Sequence, residues 1–429
     1  MNRILAAVRA FRDPVGLLVR TGRQGDLVPL TGGRRPTFVV TSPDLAREVL
    51  ETRADVFLKG AGSKRLARVM GDGLQVSEGE HHRRERSLMD PGFAREPMLE
   101  HDADVRWAAE RETARWRDGE VADVVPRMRA ITTGAVLRAL FSEATGSEVD
   151  KLTEAVTVVA SSLWRALVPG SAAFEAFLPG FRPFRRARES IDAYVAGAVK
   201  RRRSGEVAAN DVLAGMLAAR DPDGVGGMSD PEARDEIMSL LLAGRGTITA
   251  GLAWAWLLLG RNPDAESKLH AEVDALGGGV PSAGDLERLP FTQAVWGEAL
   301  RVYPPAWVIR RKVAPAASIG DTPVPEGSTV LVNVFGLHRD SRVWDEPDAF
   351  RPERFQVGGH PPAFAYVPFG AGPRGCIGFH FASMEAVLLL AGIASRWRLE
   401  PVDAPAQPTF ARSITLRPKG SLPMRFVAR

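Results

Sequence analysis

Hydrophobic residues recur at helical spacing over most of the chain between about residues 97 and 275. In an amphipathic helix, apolar side chains return to the same face every three or four residues. Helix starts are marked by Ser229-Asp230-Pro231 and by Asn262-Pro263, where a capping side chain precedes proline. A helix stop is marked by Gly277-Gly278-Gly279. The pattern predicts a long, mostly helical middle section.

Strand patterns are few and scattered along the chain. An early strand is predicted at Thr37 to Thr41, and it runs into Ser42-Pro43-Asp44, where a helix should begin. Later strands are predicted around Ile319, over Val330 to Phe335 and over Trp397 to Leu399. Because strands and helices do not alternate regularly, the pattern excludes a doubly wound sheet. We expect an α+β fold that is mostly α-helical, with small β-sheets.

One segment is long and apolar enough to cross a membrane. Ile237 to Gly260 spans 24 residues and carries one charge, Arg245. An arginine near the middle of a membrane span costs roughly 2.5–3.5 kcal/mol. Glycines and threonines inside the segment lower its apolarity further. We therefore predict a buried central helix and no transmembrane anchor.

The composition is that of an ordinary folded protein. The 429 residues are 45% hydrophobic and 25% charged, and no repeat or low-complexity linker divides them, so we expect a single domain over residues 1–429. The net charge of +4 is small for a nucleic-acid-binding chain. The basic segments Arg182 to Arg188 and Lys200 to Arg203 lack interleaved aromatic residues, and we interpret them as solvated helix faces. No nucleic-acid partner is expected.

The N-terminus and the cysteine content bear on location. Residues 1–12 carry four apolar residues at helical spacing among arginines, with an apolar run too short for a signal peptide. This favours a helix docked on the protein and leaves contact with a membrane surface open. A single cysteine, Cys376, excludes internal disulfides and multi-cysteine metal sites within one chain. We predict a reducing, cytoplasmic location.

The glycine-rich stretch Phe369 to Gly378 surrounds that cysteine. Gly370, Gly372 and Gly375 satisfy GxGxxG, but prolines interrupt the turn and too little chain follows for a dinucleotide-binding fold. A thiolate in such a loop can be stabilised by backbone N–H groups that glycines allow to approach. A lone cysteine in a glycine-rich turn is ordinarily structural, however. The residues alone leave a metal ligand and a buried structural cysteine open.

The pattern F-G-x-G-x-R-x-C-x-G, continuing as C-I-G-x-x-F-A-x-x-E, resembles the heme-binding signature of the cytochrome P450 family. Further segments follow in the family's order, so the resemblance covers nearly the whole chain. It implies the cytochrome P450 fold, with a long central helix over a heme b cofactor. It also implies that Cys376 is the iron ligand and that Phe369, Arg374 and Gly378 contact the heme, with Arg374 neutralising a heme carboxylate.

Two segments resemble the family's structural cluster. Glu298 and Arg301, three residues apart, form the ExxR element, and Arg354 lies in the Phe350 to Phe355 segment. Taken alone, a Glu and Arg at this spacing usually form a surface helix pair. The resemblance instead implies a buried Glu–Arg–Arg cluster that locks the loop presenting Cys376.

Other segments resemble the family's contacts to the heme carboxylates. His82 and Arg86 lie four residues apart in Gly79 to Arg86, so both could reach one heme propionate from one helix face. Arg311 is a third candidate, although Arg310 is adjacent and the register could slip by one residue. In isolation, the segment around His82 would be a solvated basic helix.

Ala243-Gly244-Arg245-Gly246-Thr247 resembles the family's oxygen-binding element, A-G-x-[Asp/Glu]-Thr. The resemblance implies that Ala243 lies against the heme and that Thr247 helps deliver protons. The usual acid is replaced by Gly246. Proton delivery would then depend on ordered water, on hydroxyls or on the substrate.

The resemblance implies a monooxygenase, an oxidoreductase that activates dioxygen and hydroxylates or epoxidises a lipophilic small molecule. Electrons would come from a ferredoxin or flavodoxin-type donor with its reductase, steered by basic residues including Arg83 and Arg84. Lys59 to Gly73 and Val168 to Phe184 would line the substrate pocket. Because of Gly246, use of peroxide and catalysis of desaturation, oxidative coupling or rearrangement stay open as alternatives.

Overall fold

The computed structural model describes residues 13–163, 177, 179–207, 209–221, 224, 226–356, 361–405, 408–411 and 413–429. The predicted N-terminal helix and most of the Val168 to Phe184 segment lie outside these ranges.

The fold is mostly helical, as the sequence predicts. Within the described residues, short segments of other helix types accompany the α-helices: a turn of π-helix (the π-turn) at Glu48–Thr52 and 3-10 segments at Asp90–Phe93, Ala283–Arg288, Pro352–Phe355 and Gly372–Arg374. The α-helices in chain order are α1 Pro14–Gly22, α2 Pro43–Arg47, α3 Ala61–Met70, α4 Gly79–Met89, α5 Arg95–Leu99, α6 Asp102–Thr113, α7 Val124–Leu140, α8 Gly146–Ser161, α9 Phe181–Arg203, α10 Val212–Ala218, α11 Asp230–Leu259, α12 Pro263–Asp274, α13 Pro290–Val302, α14 Val334–Leu337 and α15 Phe379–Ala394.

The strands form small sheets. One has the order β1-β2-β8-β5-β3, a second β4-β10-β9, and β6 pairs with β7. All pairings are antiparallel except that of β2 with β8. The strands are β1 Leu27–Thr31, β2 Thr37–Val40, β3 Phe57–Leu58, β4 Val121–Asp123, β5 Ile309–Val313, β6 Ala317–Ile319, β7 Thr322–Val324, β8 Thr329–Val332, β9 Trp397–Pro401 and β10 Pro423–Ala428.

The central helix α11 begins where the sequence predicts. The Ser229 hydroxyl and the Glu232 carboxylate cap its first turn reciprocally. Among the described residues, α11 is the one helix long and apolar enough to span a membrane, and 72% of its most apolar window is buried inside the protein. Trp254 and Trp256 are 0–1% exposed in the main hydrophobic cluster. Such all-round burial is typical of a core helix.

The predicted strand over Val330 to Phe335 is too long. The structure ends β8 at Val332 and turns at Asn333, whose side chain accepts a hydrogen bond from the Gly336 N–H and caps α14. The Asn333 amide also donates to the Leu18 carbonyl at 3.0 Å. An asparagine that satisfies a helix start competes with continuation of the strand.

Candidate functional site

The loop before α15 requires glycine at two positions. Gly370 and Gly372 have φ angles of 71° and 66°, a region that favours glycine. A Cβ at Gly372 would lie 2.1 Å from the Leu50 carbonyl oxygen, so the loop packs directly on the π-turn. The sequence GAGPRG thus forms a tight turn that delivers Cys376 to the start of α15. We call residues 369–378 the cysteine loop.

Cys376 is fixed by its backbone and faces internal space. Its N–H donates to the Phe369 carbonyl at 2.9 Å. Its side chain is exposed because it lines both cavities described below. Burial raises the pKa of the thiol, while the Gly378 N–H and the charge of Arg86 act in the opposite direction. The thiolate form of Cys376 is therefore favoured over the thiol only when a further positive charge binds the sulfur.

Two cavities meet at the cysteine loop. The inner cavity has a volume of about 370 Å³ and is lined by Cys376, Phe369 and Gly378 of the loop and by Ala243, Gly244 and Thr247 of α11. Its remaining walls are mainly apolar, with the side chains of Phe93, Leu140, Ile248 and Phe381 among them. The outer cavity is about 1000 Å³ and includes Arg86, Asp90, Arg95, Phe379 and His380. The residues predicted as the iron ligand and as the oxygen-binding element therefore line the same inner cavity.

The α11 wall carries a hydroxyl but no acid at its centre. The Thr247 hydroxyl donates to the carbonyls of Ala243 at 3.2 Å and Gly244 at 3.4 Å. Gly246 does not line the inner cavity, and a Cβ placed on it would meet no protein atom within 4 Å. The absence of an acid at this position is therefore not imposed by lack of space.

Three cationic side chains, those of Lys59, Arg311 and Arg374, line part of the inner cavity. We call them the cation group. Arg374 pairs with Glu78 at 2.7 Å and donates to the Ala54 carbonyl at 2.7 Å. Burial lowers the pKa of Lys59 to about 8 and that of Arg311 to about 10. Glu78 faces these cations and Glu236 acts on Lys59 from farther away, so three cations exceed two carboxyl groups and the group carries surplus positive charge.

The structure shows which of the adjacent Arg310 and Arg311 faces the inner cavity. Arg311 is 8% exposed and lines the inner cavity, whereas Arg310 points outward on β5. Sequence reasoning missed Lys59 as a member of the cation group and named it only as the start of a pocket-lining range. Nothing in its local sequence distinguishes it, since its position depends on contacts with the distant Leu74 and Ser77 carbonyls.

His82 and Arg86 both lie on α4 but have different surroundings. His82 is buried, and desolvation together with the charges of Lys59 and Arg374 lowers its pKa to about 4. Arg86 donates to the Gly375 carbonyl at 2.8 Å and pairs with Asp90 at 2.5 Å. His82 therefore lies near the cation group, whereas Arg86 supports the cysteine loop from the outer cavity.

These residues fit a heme group. A heme requires an axial ligand for its iron, apolar walls for its macrocycle and cations for its two carboxylates. The inner cavity offers the Cys376 thiol and a cation surplus in which Arg311 Nε and Arg374 Nε are buried without a hydrogen-bond partner in the described chain. A buried guanidinium N–H that lacks an acceptor is costly, and a bound carboxylate would satisfy it.

The predicted Glu–Arg–Arg cluster is assembled in the structure. Glu298 and Arg301 are fully buried and paired at 2.7 Å, and Arg354 Nε lies 3.4 Å from Glu298. The Glu298 carboxylate also accepts the Arg351 backbone N–H at 2.8 Å. Arg301 donates to three backbone carbonyls, those of His338, Pro347 and Ala349. The surface-pair interpretation of these residues is wrong.

His338 connects this cluster to the cysteine loop, and sequence reasoning missed it. Its carbonyl accepts from Arg301, while its ring Nε2 accepts the Val367 N–H at 2.9 Å. Burial and the charges of Arg301 and Arg339 lower its pKa to about 3, which keeps the ring neutral and Nε2 an acceptor. The Val367 carbonyl in turn accepts the Gly370 N–H. The cluster thus reaches the start of the cysteine loop through one buried imidazole.

The expectation that Arg84 steers a charged partner stays a prediction, and the structure shows which carboxylates share its charge. Arg84 pairs with Asp221 at 2.9 Å and with Glu232 at 2.7 Å, so its charge is used to hold α4 against the start of α11. Arg83 is 68% exposed and contacts only the exposed Glu80 among the described side chains. Arg95, on the rim of the outer cavity, is exposed as well.

The chain resembles known proteins over almost its full length. The family model described as Cytochrome P450 matches residues 19–423. Cyclooctatin synthase of Streptomyces melanosporofaciens is 36% identical, covering 97% of this chain and 92% of that protein. Pentalenene oxygenase of Streptomyces avermitilis is 32% identical, covering 99% and 95%.

A second protein of Streptomyces melanosporofaciens, cyclooctat-9-en-7-ol 5-monooxygenase, is 32% identical over 91% of this chain and 86% of its own length. Among solved structures, the heme domain of cytochrome P450DA superposes with a TM-score of 0.86 at 24% identity, covering 97% of this chain and 93% of that one. This superposition supports the same fold.

Proposed function

Because this chain belongs to the cytochrome P450 family, and is thus a heme-dependent oxidoreductase of the monooxygenase type, we propose that it hydroxylates or epoxidises a terpene-like small molecule. The observation that carries the proposal is the inner cavity, where the Cys376 thiol, the α11 element around Thr247 and a cation group line one mostly apolar space. The relatives' names support the substrate class, since they refer to pentalenene and to cyclooctat-9-en-7-ol.

We assign the cofactor as heme b, held through its iron by Cys376. Lys59, Arg311 and Arg374, with His82 beside them, would bind the heme carboxylates, while Phe369, Gly378 and Ala243 would contact the macrocycle. When bound, a thiolate-ligated heme supplies dioxygen activation and favours cleavage of the O–O bond. Arg86 supports this arrangement by donating to the Gly375 carbonyl next to the ligand.

The protein's own part in the reaction is positioning and proton supply. The apolar side chains of the inner cavity exclude bulk water and orient a lipophilic substrate. The Thr247 hydroxyl donates to the Ala243 carbonyl, so its oxygen lone pairs are free to accept a hydrogen bond from water in the cavity. The open space beside Gly246, where the family's usual pattern has an acid, lies outside the lining of the inner cavity and leaves room for further water.

We propose that electrons come from a separate ferredoxin or flavodoxin-type donor with its reductase, in a cytoplasmic location, and that residues 1–429 act as one domain. Two exposed arginines, Arg95 of the outer cavity and Arg83 on the helix that also carries Arg86 of that cavity, support docking of an acidic carrier. If reversing both charges left reduction by acidic donors unchanged at low salt, this docking surface would be wrong.

Turnover with isotopically labelled dioxygen tests the proposal. Incubation with terpene hydrocarbons and a surrogate ferredoxin system should yield a product carrying one labelled oxygen atom. A second candidate, favoured by Gly246, is use of peroxide or a reaction without oxygen insertion. It predicts a product that lacks the label from dioxygen, which would contradict the first proposal.

A further inference from the structure

A second polar cluster lies outside the heme site, between α4, the start of α11 and the segment of residues 71–77. It contains the carboxyl groups of Glu85 and Glu236, which are 1% and 0% exposed. The mechanism proposed above uses neither residue. We call Glu85 and Glu236 the acid pair.

The acid pair lacks the partners that two carboxylates would need. Both oxygens of Glu85, one oxygen of Glu236 and the hydroxyls of Ser77 and Ser239 are buried with no hydrogen bond in the described chain, although His81 Nε2 approaches Glu85 Oε1 to 3.1 Å. The two carboxyl groups are close enough for each to shift the pKa of the other. Two such buried carboxylates disfavour each other's ionisation, and the part-exposed His81 ring and the more distant Lys59 do not supply two fixed positive charges beside them. A proton between them would satisfy one group as donor and the other as acceptor.

A path from solvent to the acid pair is present. His81 Nε2 lies 3.1 Å from Glu85 Oε1, and the His81 ring is 37% exposed. The same nitrogen lies 3.2 Å from the Asp72 carbonyl and 3.8 Å from the Asp72 carboxylate, which is 69% exposed. An imidazole that contacts a buried acid and reaches the surface can exchange protons between them.

The acid pair also holds the 71–77 segment. The Leu74 N–H donates to Glu236 at 2.8 Å, and the Asp72 N–H donates to Asp235 at 2.8 Å. The segment backbone lies directly on α11, since a Cβ at Gly73 would sit 2.7 Å from the Ser239 hydroxyl. On its other side, the carbonyls of Leu74 and Ser77 accept hydrogen bonds from Lys59 Nζ. Lys59 lines the inner cavity, so the segment connects the acid pair to the cavity wall.

We propose that Glu85 and Glu236 share one buried proton, exchanged with solvent through His81, and that this proton keeps the 71–77 segment docked on α11. Loss of the proton places two negative charges side by side on α4 and α11 and separates the surfaces that the segment joins. The acid pair is thereby a proton-controlled latch next to the inner cavity.

The charges around the latch agree with this assignment. Burial, partly opposed by His81, raises the pKa of Glu85 to about 7, and burial together with Glu85 raises the pKa of Glu236 to about 9. Asp72 and Asp235 add negative charge that disfavours ionisation, while the Leu74 N–H and the more distant Lys59 favour it. Desolvation and like charge therefore outweigh the groups that stabilise the anion.

The sign of the pH dependence follows from proton binding. The closed segment holds a proton that an opened, solvated carboxyl pair releases above its ordinary pKa of 4.5. Closure is therefore most favourable at acidic pH and weakens as pH rises toward the raised pKa values. Between the two raised pKa values, about 7 and about 9, the closed pair holds one proton and the opened pair none, so protection of the Leu74 amide against hydrogen exchange should fall about tenfold per pH unit there.

Hydrogen exchange on the holoprotein, with infrared spectroscopy of the carboxyl region, tests the latch. In Glu236→Gln the amide can still accept from Leu74 and can donate to Glu85, so it imitates the protonated pair. We expect this variant to lose the pH dependence of Leu74 protection and to lose part of the infrared intensity of protonated carboxyls at neutral pH, the rest coming from the buried Glu385. Glu80→Gln, the same change at an exposed position of α4, is the matched control and should behave as the wild type.

Two results would overturn the proposal. One is a band of protonated carboxyls at neutral pH with the same intensity in the wild type and in Glu236→Gln, which would mean that the acid pair holds no proton and that Glu385 alone gives the band. The other is Leu74 protection that does not depend on pH, or that depends on it equally in the wild type and in Glu236→Gln. Should Glu236→Gln fail to fold, Glu85→Gln and the wild-type infrared titration decide between the same outcomes.

Discussion

Gly246 is the residue at which this chain departs from the usual pattern of its family. The structure shows that the departure is chemical and not steric, because open space surrounds the position on α11. Thr247 remains in the inner cavity with its hydroxyl bonded to the helix backbone. We therefore propose that proton supply at this site rests on water and hydroxyl groups.

Restoring an acid should therefore improve proton delivery. We expect Gly246→Asp to lower the amount of peroxide released per electron pair by roughly tenfold. This change approaches the rate factor that a positioned general acid contributes. Gly246→Ala, which adds a Cβ without a carboxyl group, is the control and should leave peroxide release unchanged. Peroxide and product are measured together during turnover. Equal peroxide release from all three proteins would show that the acid position does not limit coupling.

The Glu298–Arg301 pair leads to a prediction about stability. Both side chains are fully buried, and Arg301 holds three backbone carbonyls besides Glu298. Glu298→Gln leaves the buried guanidinium without its counter-charge, which should lower the free energy of unfolding by about 3–5 kcal/mol. Denaturant unfolding measures the change.

The exposed Lys268–Glu353 pair provides the control. Glu353→Gln should have little effect on stability, since exposed ion pairs contribute little. Similar losses in Glu298→Gln and Glu353→Gln would contradict the structural role of the buried cluster.

At the scale of elements, the start of the central helix follows directly from the sequence. Ser229, Pro231 and Glu232 supply a cap, a first-turn proline and a reciprocal acceptor, and all act within one turn. The end of β8 was predicted less well, because Asn333 is fixed by the Leu18 carbonyl on a distant helix. Local signals identify boundaries only where the contacts that set them are local.

The cysteine loop allows a matched pair of substitutions. Gly372→Ala would strain a positive φ and collide with the Leu50 carbonyl, so we expect it to destabilise the protein by about 1–3 kcal/mol even without cofactor. Gly378→Ala meets no protein atom within 4 Å. It should leave the stability of the cofactor-free protein unchanged and weaken heme binding by occupying space beside the macrocycle.

Thermal unfolding of the cofactor-free variants and heme titration separate the two effects. The expected result is a lower Tm for Gly372→Ala and a raised heme Kd with unchanged Tm for Gly378→Ala. A lowered Tm in Gly378→Ala would show that this glycine serves packing within the protein.

At the scale of the whole molecule, the resemblance to the family predicted the fold correctly, because the motif around Cys376 is contiguous in sequence. It also predicted that Glu298, Arg301 and Arg354 come together. It did not find Lys59, Glu78 or His338. Each of these residues acts through contacts with segments far away in sequence, and none lies in a recognisable local pattern.

The stability of the protein at acidic pH depends on another cluster, whose residues are distant in sequence. Burial would raise the pKa of Glu143, but hydrogen bonds from Arg202 outweigh it and lower the pKa to about 2. Arg202 on α9 also pairs with Asp211, next to α10. Because the folded pKa lies below the ordinary 4.5, this stabilisation is present above that value and is lost as pH falls toward 2.

Glu143→Gln should therefore lower the Tm at neutral pH and reduce the loss of Tm on acidification. Tm measured between neutral and acidic pH tests this, with Glu154→Gln, the same change at an exposed position of α8, as the control. An unchanged acid profile in Glu143→Gln would contradict the assigned role.

The central claim is that Cys376 holds a heme iron in the inner cavity. The most direct measurement is the difference spectrum of the reduced protein with and without carbon monoxide, for the wild type, Cys376→Ala and Cys376→His. The account predicts the strongly red-shifted Soret band of a thiolate-ligated heme in the wild type and its loss in both variants. A heme-replete wild-type protein without that band, or a variant that retains it, would contradict the account.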